Sequence, residues 1–213
     1  MITVSDAPAA VESDLRPGRL KCPLCPEVLR PWGKARIRRI RMKLGTAVVR
    51  AVQPFRARCG ACKVTQVLLP VFLATRRADE AEVIALALEA WIIHRWGHRR
   101  IAVMLGRPIS TVRGWLRSFA QSALALTAWF RVLVLRDAGD AAGIWPAPSS
   151  NQRAAALNVL VSYARVFTER FALKEGMVPW HGAALVVVGP WIFRAPWWAG
   201  KGATPIGSDA RAC

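Results

Sequence analysis

The sequence predicts a mainly α-helical chain with one small β unit near its N-terminus. Three observations carry that prediction. Two Cys-x-x-Cys knuckles, Cys22-Pro-Leu-Cys25 and Cys59-Gly-Ala-Cys62, enclose short segments that alternate like strands. Apolar residues then recur at helical spacing between residues 79 and 125, and a second amphipathic stretch runs from Gln152 to Leu173. The chain accordingly divides into a disordered N-terminus (1–19), a β unit (20–72), a helical unit (76–125), a C-terminal helical region (126–198) and a disordered tail (199–213).

The first residues lack both the basic start and the apolar core of an export signal, so a reducing cytoplasm is the expected setting. There the cysteines stay thiols, and two knuckles can present four thiolates tetrahedrally to one Zn²⁺. Cys22, Cys25, Cys59 and Cys62 are the expected ligands of one structural, closed zinc site. Iron on the same knuckles is the lesser alternative. Between the knuckles, Lys34-Ala-Arg-Ile-Arg38 alternates and Thr46 to Val52 is rich in β-branched residues, with Gly33 and Gly45 as punctuation. Residues 20–72 therefore read as a zinc ribbon, a unit with too few large apolar groups to fold without its metal. Cys213 stands apart and is expected to be a free thiol without a role.

Pro70 marks the boundary, and three helices follow, at about 79–95, 98–105 and 110–125. Asp79 is placed to cap the first, with Glu82 completing a capping box. Ile101, Met104 and Leu105 give the second helix one apolar stripe, and Val112, Trp115, Leu116 and Phe119 give the third another, so the two stripes face each other. Gly106 suits the left-handed end of a helix, Pro108 forces a change of direction, and Ser110 is expected to cap the third helix. This spacing is that of a helix-turn-helix within a homeodomain-like trihelical unit.

With the apolar stripe turned inward, Arg113, Gly114, Arg117 and Gln121 occupy the outer face of the third helix, led by Ser110 and Thr111. Such a helix enters the major groove, and Arg is the usual bidentate reader of guanine. The formal net charge is +18, and its distribution is uneven. From Arg30 to Lys63 and again from Arg95 to Arg117 there are cations and no Asp or Glu. Lys34, Arg36, Arg38, Arg39 and Arg41 in the β unit, with Arg99, Arg100 and Arg107 in the helical unit, are candidate phosphate contacts on double-stranded DNA.

The ribbon followed by Ile101-Ala102-x-x-Leu105-Gly106-x-x-x-Ser110-Thr111-Val112-x-x-Trp115 resembles the N-terminal DNA-binding part of insertion-sequence transposases. It is also similar to small bacterial proteins that carry a zinc ribbon and a helix-turn-helix without a catalytic domain. The resemblance covers residues 20–125 and implies sequence-specific DNA binding. It departs from the transposases after residue 125. Asp137, Asp140, Glu169, Glu175 and Asp209 have no strand framework to converge them on catalytic metal ions. His94, His98 and His181 are scattered, and neither a nucleophile constellation nor a phosphate-binding Gly loop is present. A non-enzymatic, nucleoid-associated regulator or transposase-like factor is expected, with no small-molecule substrate.

The C-terminal third carries helical patterning from Leu124 to Leu135, a break at Pro146-Ala-Pro-Ser-Ser-Asn, and an apolar run from Gly182 to Phe193 that is too short to span a bilayer. Dimerisation or partner contact is its expected role. Two other readings remain open at this stage: a basic zinc-ribbon module for RNA or ribonucleoprotein, and membrane-surface contact through the Trp-rich tail.

Overall fold

A computed structural model describes residues 1–42, 49–171 and 177–193. Six strands come first: β1 (Ile2–Val4), β2 (Leu29–Lys34), β3 (Arg38–Arg41), β4 (Val49–Val52), β5 (Phe55–Cys59) and β6 (Thr65–Pro70), with helix α1 (Pro8–Leu15) after β1. Helices α2 (Ala81–Ile92), α3 (His98–Leu105), α4 (Ile109–Asp137), α5 (Ala141–Ile144), α6 (Gln152–Arg170) and α7 (Trp180–Val188) follow. About half of the described chain is thus helical, beside small sheets.

The main sheet has the order β1-β6-β5-β2, with β1 parallel to β6 and the other neighbours antiparallel. Gly33 takes φ 79° where the β2–β5 register shifts between Pro31 and Lys34. Only a residue without Cβ adopts that conformation cheaply. β3 and β4 form a separate two-stranded sheet, Arg38 opposite Val52 and Arg41 opposite Val49.

Several expectations are corrected here. The N-terminus is structured: Ile2 pairs with Leu68, and Val11 and Leu15 of α1 are buried against the sheet. Apolar Ile2 and Val4 reach a sheet edge that the sequence alone does not reveal. The predicted strand at 34–38 is instead divided, because residues 35–37 connect β2 to β3. Of the predicted strand at 46–52, residues 49–52 form β4, while residues 46–48, with Lys43 and Gly45, lie outside the described residues. The tail at 199–213, with Cys213, also lies outside them.

Apolar burial explains the helices. Val112, Trp115, Leu116, Phe119, Ala123, Leu126, Phe130 and Val134 are all buried on one side of α4, and no Gly or Pro interrupts it after Gly114. The 29-residue helix therefore unites the predicted segment 110–125 with the stretch 124–135. It is long and apolar enough to cross a membrane by length and composition, and its buried residues here form the core of the helical unit, against α6 above all. Gly106 ends α3 at φ 60°, ψ 41°, its N–H reaching the carbonyls of Ala102 and Val103, as the left-handed cap requires.

Three details of the helical unit differ from the sequence reading. Pro108, not Ser110, is the N-cap of α4, and Ser110 lies inside the helix. Glu80, not Asp79, is the N-cap of α2, without a side-chain cap, so the capping box does not form. Met104 is 37% exposed, and Ala102 takes its place beside Ile101 and Leu105 in the core. The run 182–193 forms α7 and the turn after it, with Leu185, Val188, Ile192 and Phe193 buried.

Asp79 joins the two halves of the molecule. Its carboxylate, 1% exposed, accepts from Arg41 of β3 at 2.7 Å and from Arg107 of the α3–α4 turn at 2.5 Å. The backbone reinforces this joint, with Arg41 N–H donating to Ala78 O and Glu80 N–H donating to Arg41 O. The β3–β4 hairpin is thereby fixed to the start of α2 and to the turn between α3 and α4.

Candidate metal centre and basic surface

The two knuckles meet although 33 residues separate them in sequence, because β2 pairs with β5 and places Leu29 opposite Cys59. In the first knuckle, Cys22 N–H donates to Glu27 O at 2.8 Å. In the second, Cys59 N–H donates to Val64 O at 3.1 Å, and Lys63 closes the turn at φ 58°. The result is a cluster in which all four Sγ atoms lie within 4.8 Å of one another, with Cys22 and Cys62 3.6 Å apart and Cys25 and Cys59 3.3 Å apart.

These distances decide the chemistry. A disulfide needs sulfurs about 2.05 Å apart, and all four thiols are free. Four sulfurs at about 2.3 Å from one ion would sit roughly 3.8 Å from each other, so the cluster fits a tetrahedral metal with little adjustment. Cys22, Cys25, Cys59 and Cys62 are positioned to hold one metal ion. Burial opposes ionisation of the Cys59 thiol, but N–H groups of Cys62 and Ala61 and the Cys25 thiol favour it, and the balance pulls its pKa down to about 7. For Cys25 the N–H of Glu27 lowers the pKa, but the Cys59 thiol and burial outweigh it and the net direction is up. Cys62 likewise ends above its ordinary value, since burial and the neighbouring thiols outweigh the N–H of Val64. Thiols crowded this closely resist losing every proton without a cation between them.

The candidate DNA-contacting residues fall into two groups. Ser110, Arg113, Gly114, Arg117 and Gln121 are exposed on α4, and Thr111 is half-buried beside them. Arg99 and Arg100 are exposed on the first turn of α3, and the Arg100 guanidinium lies 3.9 Å from the centroid of the Trp96 ring. Lys34, Arg36 and Arg39 are exposed on the β unit, Lys34 resting over Phe55. A Cβ at Gly114 would meet nothing within 4 Å, so the glycine is not required by packing.

Arg38, Arg41 and Arg107 are placed differently. Arg38 donates to the carbonyls of Ala74 and Arg77, and burial lowers the pKa of its guanidinium. Arg41 and Arg107 are held by Asp79, and Arg107, with a side chain 11% exposed, also donates to Leu105 O and Met42 O. These hydrogen bonds tie the two halves of the chain together, with Arg107 largely buried and Arg41, its side chain 36% exposed, still partly open to solvent. The acid run-free charge pattern that suggested a surface role is misleading for these three, because their acceptors are carbonyls and an aspartate distant in sequence.

Comparison with family profiles, with curated proteins and with solved structures returns no match.

Proposed function

We propose that this chain binds double-stranded DNA through a helix-turn-helix formed by α3 and α4, with the β unit acting as a zinc ribbon built around one structural Zn²⁺. The observation that carries the reading is the division of α4 into two faces. Val112, Trp115, Leu116 and Phe119 are buried, whereas Arg113, Gly114, Arg117 and Gln121 are exposed and the two arginines have no acidic partner among the described residues. Guanidinium groups held on the outside of a rigid helix, without counter-charge, can address phosphates and guanine edges in the major groove. The left-handed cap at Gly106 and the joint at Asp79 fix the angle at which α4 is presented. Lys34, Arg36 and Arg39 on the β unit, with Arg99 and Arg100 on α3, supply sequence-independent attraction to the backbone. The protein acts by binding, as a regulator or transposase-like factor.

Selection of fragments from a random duplex library, followed by anisotropy titration, tests this. A recovered motif is expected, and Arg113→Ala with Arg117→Ala should reduce discrimination between that motif and a scrambled duplex by roughly tenfold or more. Lys34→Ala and Arg36→Ala should weaken both duplexes alike. Equal affinity for every duplex and for structured RNA would remove the reading.

A further inference from the structure

An open hollow of about 320 Å³ lies between four helices, lined by Trp91 of α2, Gly97 and His98 at the start of α3, Arg113 and Arg117 of α4, and Arg153 of α6. No carboxylate lines it. Arg153 comes from the C-terminal region, 36 residues beyond Arg117, and only the packing of α6 on α4 brings them together. Its guanidinium is held over the Trp91 ring at 4.3 Å from the centroid, so the cation is positioned before any ligand arrives.

One helix N-terminus borders the same hollow, and the first turn of another helix supplies Arg153. α3 begins at His98 and its N-cap, Gly97, supplies no side-chain cap, leaving first-turn N–H groups without a side-chain acceptor. Arg153 lies in the first turn of α6, whose N-cap Asn151 accepts the Arg153 N–H. Three guanidinium groups, a histidine and the positive end of α3 thus converge on one concave surface. Positive charge without an acid to offset it, in a recess, is costly unless an anion fills it.

Resting on the DNA-binding reading, we propose that this hollow seats a backbone phosphodiester of the bound duplex, and that Arg153 is a phosphate contact contributed by the C-terminal helical region. The interface then extends beyond the helix-turn-helix, and α6 sets the position of the duplex along α4. Arg113 and Arg117 border both the hollow and the outer face, so phosphate seating and groove reading share these two side chains.

The test is the salt dependence of duplex affinity for the full-length, metal-loaded protein. Each phosphate contact contributes about −0.9 to the slope of log K against log salt. Arg153→Ala should lower affinity for cognate and scrambled duplexes alike, by about threefold to tenfold, and reduce the slope by about one. Arg165→Ala, which removes the same charge from an exposed position on α6, should change neither. Arg153→Lys keeps the charge and should restore the slope. Identical behaviour of the Arg153→Ala and Arg165→Ala proteins overturns the phosphate seat while leaving DNA binding intact. A loss shared by Arg153→Ala and Arg153→Lys with the slope unchanged also overturns it, because the effect then runs through packing on Trp91. Failure of the unaltered protein to bind any duplex removes the parent reading as well.

Discussion

The β unit and the helical unit are built on different economies of burial. Among the described residues, the core beneath the main sheet contains seven buried residues, two of which are Cys22 and Cys59 of the four-cysteine cluster. A second small cluster, Ile40, Leu69 and Leu73, lies under the β3–β4 hairpin. The helical core contains 34 buried residues running from Ala74 to Phe193. Burial of a Leu, Ile or Phe side chain stabilises by about 1.5–3 kcal/mol, so the helical unit has ample apolar driving force and the β unit has little. The contrast is between a helical half held by packing and a β half that, on the proposed reading, relies on coordination by its four clustered cysteines, with Asp79 as the joint between them.

Metal removal is the strongest way to break that comparison. Structural Zn²⁺ supplies about 10–16 kcal/mol of apparent binding free energy in small domains, comparable to all that the large apolar side chains under the main sheet, Val11, Leu15, Leu29 and Leu68, contribute by burial. A strong chelator, or Cys59→Ser, should expose residues 20–70 to protease while most of the helical circular dichroism remains. Loss of the helical signal in step with the metal would show that the two units fold as one.

Disruption of the joint comes next. Asp79→Ala leaves Arg107 buried without its partner and frees Arg41, and breaking a buried pair from one side costs about 3–5 kcal/mol. Thermal unfolding should then separate into two transitions, because the hairpin loses its hold on the α3–α4 turn. A single transition at an unchanged midpoint would contradict the role of Asp79.

A smaller effect is expected within the helical unit. Asp137 at the end of α4 accepts from Arg136, Tyr163 and Arg170. Burial raises its pKa, but the hydrogen bonds from Arg136 and Tyr163 and the two arginine charges outweigh that and hold it below the ordinary value of 3.8. The same burial and the Asp137 charge push the Tyr163 hydroxyl upward. A depressed carboxylate stabilises fully above its unfolded pKa, and that stabilisation is lost as pH falls through the folded value. Asp137→Asn should therefore cost about 1–2 kcal/mol at neutral pH and flatten the acid limb of helical-unit stability below about pH 4. Denaturant melts over that range check both parts.

The smallest change is the most diagnostic for α4. Gly114 lies in a helix with open space where a Cβ would go, so Gly114→Ala should stabilise the fold by up to about 1 kcal/mol. If a nucleic acid approaches that face closely, the same methyl should weaken duplex binding severalfold. Improved stability with unchanged affinity would place the contact elsewhere on the helix.

Local chemistry made much of this legible. The knuckle spacing named the four cysteines that cluster, the Gly106–Pro108 turn separated α3 from α4, and 3.6-residue periodicity sorted Val112, Trp115, Leu116 and Phe119 from Arg113 and Arg117. These follow from the sequence by itself because coordination spacing, turn conformation and helical period are set by neighbours a few residues away. The strand β1, the reach of Arg107 and Arg41 to Asp79, the internal donors of Arg38, and the meeting of Arg153 with Trp91 and His98 were decided only by tertiary structure. Each depends on which surfaces become adjacent after the sheet and helices pack. An arginine shows the same charge in sequence whether its acceptor is a phosphate, a carbonyl or an aspartate, and only the folded chain brings one of these within hydrogen-bonding distance.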